Sequence, residues 1–181
     1  MNENRNNKNT PSQNPPSGNP GGLNIRIGFG YDMHRLQAGR ELWIGGIKLD
    51  HELGLQGHSD ADVLIHAICD ALLGAANLRD IGYHFPDTAT EFENIDSKIL
   101  LEKTGRLIEQ KGYTLGNIDA TVCAERPKLN PHIPRMQQTL ADILKTDIEN
   151  ISIKATTSEK MGFVGREEGI TAYAVALIRK I

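Results

Sequence analysis

Asp32 and His34 stand two positions apart in the stretch GYDMHRL, and His66 closes the stretch HSDADVLIH. On a β-strand, residues i and i+2 project from the same face, so this carboxylate and imidazole can converge on one point. Both are accepted zinc ligands, but two ligands do not complete a site, and alone the pair reads equally well as a surface aspartate beside a histidine. Asp62, His66 and Asp70 recur at i, i+4 and i+8, a stripe on one side of a helix away from Val63, Ala67, Leu72 and Ala75. His66 on that stripe would supply a third ligand and leave one open position, the arrangement used by catalytic zinc. The alternative is a solvated polar face on which Asp60 and Asp62 merely favour the helix N-terminus.

Two further segments carry groups suited to anions. KATTSEKMGFVGRE, Lys154 to Glu167, places adjacent threonines at the end of a strand with Glu159, Lys160, Arg166 and glycines close by. Hydroxyls, cationic groups and accessible backbone N–H groups together suit phosphate oxygens, although a polar surface loop fits the same residues. AERPKLNPH, Ala124 to His132, is a proline-stiffened loop offering backbone groups and Lys128.

The elements that must position these groups follow from periodicity. Asn24–Phe29 alternates as a half-buried strand, and Glu41–Leu49 reads as a strand bent at Gly45 and Gly46. A helix is predicted over about 59–76 with Ser59 as its cap, and a second from Asp96 or Ser97 to a stop at Gly112. A strand over Asn117–Ala124 leads to the proline loop, whose last proline suits the first turn of a helix reaching about Lys145. Asn150–Thr156 and Gly169–Lys180 are the closing strands, the last with Ile170, Ala172, Ala174, Ala176 and Ile178 on one face. The order β-β-α-α-β-α-β-β predicts an α+β fold, a mixed β-sheet with helices packed on one face.

The chain has 181 residues, and residues 1–23 are so rich in Asn, Pro, Gly and Ser that they read as a disordered tail. Residues 24–181 are expected to form one domain. With aromatics at 5%, its core must rest on Ile, Leu, Val and Ala. A net charge of −3 with dispersed Lys and Arg argues against nucleic-acid binding and against a polybasic membrane patch. No apolar run approaches the roughly 18 residues that span a bilayer. Cys69 and Cys123 lack CxxC spacing, so neither a disulfide framework nor a thiolate zinc site is indicated, and a soluble, cytoplasmic protein is expected.

In combination the segments GYDMH, GHSDADVLIHAICDALLGAA, LRDIGYHFPDT, KGYTLGNIDATV, RPKLNPHI and IKATTSEKMGFVGREEGI resemble the 2-C-methyl-D-erythritol 2,4-cyclodiphosphate synthase family of non-mevalonate isoprenoid biosynthesis. The resemblance runs in unbroken order from about Ile25 to Ile181. It implies a zinc ion held by Asp32, His34 and His66, with the fourth position facing the substrate diphosphate. It places His58 and Ser59 near the 2-phosphate, and makes His58 and Thr157 the transition-state stabilisers. Asp80 and Gly82 match positions that hold methylerythritol hydroxyls, and Phe85, Pro86 and Asp87 match the edge of that pocket. Ala124 to Asn130, including Pro127, Lys128 and Leu129, matches the loop that recognises cytosine through its backbone. Thr156, Thr157 and Glu159 match the diphosphate and ribose contacts, with Ser158 replacing a threonine. Glu159 would also bind a second divalent cation, magnesium or manganese, and Phe163 and Arg166 complete the set.

The resemblance also implies a homotrimer with active sites between subunits. Arg166 and Glu168 match positions at the mouth of an apolar cavity on the three-fold axis, where an isoprenoid diphosphate binds. The implied reaction closes 4-diphosphocytidyl-2-C-methyl-D-erythritol 2-phosphate onto itself and releases CMP. A zinc-dependent phosphohydrolase using the same ligands, and a trimeric binding module for isoprenoid diphosphates, are the competing readings.

Overall fold

Strand alternation and helical spacing resolve into seven strands and five α-helices, with three short 3-10 turns, in the computed structural model, which describes residues 24–92 and 94–181. The expected disordered tail over residues 1–23 lies outside the described residues. The strands are β1 (Ile25–Ala38), β2 (Leu42–Ile44), β3 (Ile47–Leu49), β4 (Leu53–Gln56), β5 (Tyr113–Cys123), β6 (Ile151–Thr156) and β7 (Gly169–Lys180). The helices are α1 (Val63–Ala75), α2 (Ile81–His84), α3 (Ser97–Gln110), α4 (Ile133–Leu144) and α5 (Gly162–Gly165). The main sheet runs β4-β1-β7-β5-β6, with β5 and β6 parallel and the other pairs antiparallel. The expected mixed sheet and α+β class are therefore present.

The strand expected to end at Phe29 continues to Ala38, and the one expected to begin at Asn117 starts at Tyr113, with a bulge between Leu115 and Asn117 opposite β7. The single bent strand expected over Glu41–Leu49 is instead a hairpin of β2 and β3, separate from the main sheet. Gly45 and Gly46, at φ 63° and 76°, form its two-residue turn, a conformation that L side chains resist. Residue Asp62, not Ser59, caps α1. Its carboxylate accepts N–H bonds from Ile65 at 3.0 Å, Gly45 at 2.9 Å and Gly46 at 2.6 Å. One buried side chain thus ties the hairpin tip to the start of α1. Burial pushes this carboxyl up, as does Asp60, and the three N–H donors act against both.

Helix α1 lies across β1 and β7 at a separation that only small residues permit. A Cβ added at Gly28 would stand 1.9 Å from the Ala71 carbonyl oxygen, and one at Gly30 would stand 1.9 Å from that of Ala67. Ala172, Ala174 and Ala176 of β7 continue this flat, buried surface. Two residues of strand advance about 6.6 Å and four residues of helix about 6 Å, so Gly28 and Gly30 stay in step with Ala71 and Ala67. Beyond the alanines, Leu64, Ile65, Ile68, Leu72 and Leu73 are also buried, so α1 is enclosed nearly all round. The polar stripe, for which a solvated face is the alternative reading, is consequently internal at Asp62 and half-buried at His66 and Asp70.

The opposite face of the sheet carries Ile27 at 66% exposure and Phe29 at 63%, with Tyr31, Met33, Tyr173 and Val175 also exposed. The helices therefore pack on one face, as expected. Gly30→Ala is expected to lower the unfolding free energy by about 3 kcal/mol, because the clash is with main chain that no rotamer change can relieve. Gly74→Ala, within α1 and with its nearest non-local atom at 4.0 Å, should instead be neutral or gain about 0.5 kcal/mol. Urea midpoints measure both, and a Gly30→Ala midpoint equal to that of the parent would contradict the seating of α1.

Candidate active site

The face of β1 that carries Gly28 and Gly30 next presents Asp32 and His34, and the turn of α1 seated over Gly30 presents His66. The three side chains meet. Asp32 Oδ2 lies 2.9 Å from His34 Nε2 and 3.1 Å from His66 Nδ1, and the two imidazole nitrogens are 3.1 Å apart. Ligands bonded tetrahedrally at 2.0–2.1 Å to one ion are about 3.3 Å from each other. Two imidazoles and a carboxylate at these separations fit a divalent metal with little rearrangement, and this is the group among the described residues with that capacity.

Burial opposes charge on both Asp32 and His66, and their mutual contact more than offsets it. Hydrogen bonds from His34 and His66 hold the Asp32 carboxyl well below the usual carboxylate range, and Asp32 holds the His66 imidazolium above the usual histidine range. His66 Nε2 faces Ser97 Oγ at 2.9 Å and Ser59 Oγ at 3.2 Å. Nothing in local spacing signals Ser97, which is 31 residues from His66 and reaches it only because α3 begins beside α1.

The trio opens into a cavity of about 370 Å³ lined also by His58, Ser59, Ile81, Gly82, Phe85, Asp87, Phe92, Ile95 and Leu100. His58, Ser59, Gly82, Phe85 and Asp87 are thus gathered with the metal ligands. Asp80 is the N-cap position of α2 at the edge of this wall. Asp70, marked in the sequence only as a member of the polar stripe, accepts the Ile81 N–H at 2.7 Å and anchors α2 to α1.

The phosphate-binding candidates form a different cavity, of about 180 Å³, lined by Ala124, Glu125, Pro127, Lys128, Leu129, Asn130, Ala155, Thr156 and Thr157. Thr156 pairs with Cys123, Cys123 with Thr171, and Thr171 with Met33. Three strand steps of about 4.8 Å therefore put Thr156 roughly 14 Å across the sheet from β1. Thr157 Oγ1 donates to Glu159 Oε1 at 3.0 Å, and Ser158 donates through its N–H and Oγ to Glu125 Oε1 at 2.9 and 2.8 Å. Glu159 and Lys160 both hold positive φ, 54° and 62°, a strained pair at the tip of the loop. Phe163 lies apart from this cavity, beside Met33, His34 and Arg35, and Arg166 Nε donates to Glu168 at 2.8 Å. His58 therefore lies in one cavity and Thr157 in another.

A half-buried carboxylate and two histidines meeting at the mouth of a cavity form a candidate divalent-metal site on an α+β scaffold. The profile of the YgbB family matches residues 25–179, and the chain belongs to that family. The 2-C-methyl-D-erythritol 2,4-cyclodiphosphate synthase of Parabacteroides distasonis is 71% identical over 159 residues, covering 88% of this chain and 99% of that protein. The Bacteroides fragilis synthase of the same name is 69% identical, covering 88% of this chain and all of that protein. Among solved structures, the CDP complex of Plasmodium falciparum IspF matches with a TM-score of 0.77 and 34% identity, covering 87% of this chain and 97% of that one. The phosphohydrolase alternative has no support among these relatives.

No helix among the described residues is long and apolar enough to cross a membrane. The two cysteines are free, Cys69 with its thiol pushed by burial up to about 12.

Metal binding at Nδ1 must displace the proton that Asp32 stabilises on His66. The apparent affinity for a divalent metal is therefore expected to fall as pH drops through the raised His66 pKa, by about tenfold per pH unit for each proton displaced. Competition with a chromophoric chelator across pH measures this, and a pH-independent affinity would contradict ligation through His66.

Proposed function

We propose that this chain is a 2-C-methyl-D-erythritol 2,4-cyclodiphosphate synthase, converting 4-diphosphocytidyl-2-C-methyl-D-erythritol 2-phosphate to the 2,4-cyclodiphosphate with release of CMP. The observation that carries the reading is the convergence of Asp32, His34 and His66 beside a cavity walled by the residues expected for the methylerythritol unit. The domain that performs the reaction spans residues 24–181, and its setting is the cytoplasm.

The nucleophile is an oxygen of the substrate's own 2-phosphate, largely ionised at neutral pH because a phosphomonoester's second pKa is about 6. It forms a bond to the β-phosphorus of the diphosphate, and the bond to the CMP oxygen breaks with its electron pair leaving on CMP. No protein base is required. The obstacle is charge, a dianion approaching an anionic diphosphate, and holding the two ends in line removes as much as about 7–11 kcal/mol of barrier. The chemistry supplied at Asp32, His34 and His66 is that of a zinc Lewis acid for diphosphate oxygens, shared with a second cation, magnesium or manganese, at Glu159.

The protein's own groups do the rest. His58 and Ser59 bind the 2-phosphate end, and Asp80 and Gly82 take the sugar hydroxyls, with Phe85 and Asp87 closing that edge. The Ala124–Asn130 loop reads cytosine through its backbone, and Lys128 offsets phosphate charge. Thr156, Thr157, Ser158 and Glu159 hold the diphosphate and ribose, with Phe163 and Arg166 completing the pocket. His58 and Thr157 donate hydrogen bonds to the phosphoryl oxygens as charge develops.

Two observations favour a homotrimer in which one subunit's metal half-site meets the next subunit's nucleotide half-site. The half-sites occupy separate cavities within one protomer, and the sheet face bearing Ile27, Phe29, Met33 and Val175 is apolar and exposed. The Arg166–Glu168 pair would then stand at a central cavity suited to an isoprenoid diphosphate.

Incubation of the full chain with substrate, followed by phosphorus NMR, should yield the cyclic diphosphate and CMP in equal amounts, whereas open-chain phosphate would refute the assignment. Asp32→Asn and His66→Ala should lose bound zinc by elemental analysis and slow cyclisation about a thousandfold, equivalent to about 4 kcal/mol. Thr157→Ala should keep the parent's mass by light scattering, three times that of one chain, yet turn over about a hundredfold more slowly. Unchanged turnover would remove Thr157 from its stabilising role.

A further inference from the structure

The two ring nitrogens of His66 have different partners. Nδ1 faces the Asp32 and His34 cluster at 3.1 Å from each. Nε2 points the other way, to Ser97 Oγ at 2.9 Å. Ser97 is fully buried in the first turn of α3, and Asp60 meets it twice. The Ser97 N–H donates to Asp60 Oδ2 at 3.0 Å, and the Ser97 hydroxyl contacts Asp60 Oδ1. Asp60 is itself held, since its Oδ1 also accepts the Asp62 N–H at 3.2 Å and its own N–H donates to the Ile95 carbonyl at 3.1 Å.

Counting protons along Asp60 and Ser97 leaves one arrangement at the Ser97–Nε2 contact, the shorter of the two contacts Nε2 makes with a hydroxyl. An ionised carboxylate only accepts, and a serine hydroxyl has one proton to give. Asp60 takes that proton, so Ser97 Oγ offers His66 only lone pairs and must accept the Nε2–H. Neutral His66 is then the Nε2–H tautomer, with its lone pair on Nδ1, and His34 Nε2, 3.1 Å from that atom and 2.9 Å from Asp32 Oδ2, is the donor that Asp32 and Nδ1 share.

We infer that Asp60 and Ser97 are positioning residues, a carboxylate–hydroxyl relay that fixes His66 as an Nδ1 metal ligand. The arrangement is the carboxylate support common behind metal-binding histidines, with a serine inserted between carboxylate and ring. Ser59 does not replace it. Its Oγ is farther from Nε2, at 3.2 Å, and its proton, left free when Oγ accepts the Ala61 N–H at 3.1 Å, would have to displace the shorter Ser97 contact to reach the ring. The relay's purpose rests on the metal-site reading, while the tautomer it dictates holds with or without a metal.

Both parts are testable on the full chain labelled with ¹⁵N-histidine. In the metal-stripped protein at alkaline pH, long-range proton–nitrogen correlation should show His66 as the Nε2–H tautomer. Ser97→Ala should give a mixture of tautomers. Asp60→Asn should shift His66 toward Nδ1–H, because the new amide can donate to Ser97 and turn the hydroxyl proton onto Nε2. In zinc titrations against a chromophoric chelator, both variants should bind about 10- to 100-fold more weakly than the parent, with Asp32→Asn as the ligand-loss control.

An Nδ1–H tautomer in the parent protein overturns the relay, and this spectrum decides even if neither variant folds. Unchanged tautomer and zinc affinity in Ser97→Ala also overturn it. If the parent binds no zinc while the variants still shift the tautomer, the metal-site reading falls and the hydrogen-bond relay is upheld.

Discussion

The contact on which the rest of this molecule depends is main chain against main chain, the carbonyls of Ala67 and Ala71 resting on Gly28 and Gly30. A glycine in a strand interior weakens the strand by roughly 0.5–1 kcal/mol relative to alanine, so two in succession need a compensating return. The return is proximity. With no Cβ in the way, α1 descends onto β1 until a short aspartate on the strand and a histidine on the helix touch without either side chain stretching. Larger residues at these positions would lift the helix and separate the ligands.

Asp62 performs the complementary task at the end of the same helix. Capping alone needs one hydrogen bond, but this carboxylate spends both oxygens, and three backbone donors converge on it. The β2–β3 hairpin is thereby fastened to α1, and the segment Gly57–Asp62, which carries His58, Ser59 and Asp60, is held between β4 at one end and this cap at the other. Ala61 within it is fully buried with φ at 57°, a conformation the surroundings must enforce.

Much of this was legible in the chain, though unevenly. The alternation Ile170, Ala172, Ala174, Ala176, Ile178 reports a half-buried strand because its period is a property of neighbours. The proline start of α4 is likewise local. Each metal ligand also sits on a readable local pattern, Asp32 and His34 on a two-residue period and His66 on a four-residue one. Their meeting is not local, since it depends on helix-to-strand distance. The same limit explains the errors. Asp62 on a polar stripe looks solvated unless the hairpin that covers it is known, and the four residues of β4 are too few to show a period. Ser97 reads as a helix start, which it is, and its second partner is invisible from there. The His58 and Thr157 segments were legible as separate motifs, and they line separate cavities.

Strand β1 uses its two faces for unrelated purposes, with Gly28, Gly30, Asp32 and His34 on one and Ile27, Phe29, Tyr31 and Met33 on the other. A slip of one residue would exchange the sets, driving Phe29 and Tyr31 into helix carbonyls that have no space for a methyl group. The strand thus proofreads its own alignment. A chain paired in the wrong register cannot close its core, so the same packing that brings Asp32 and His34 to His66 also excludes the alternative pairing.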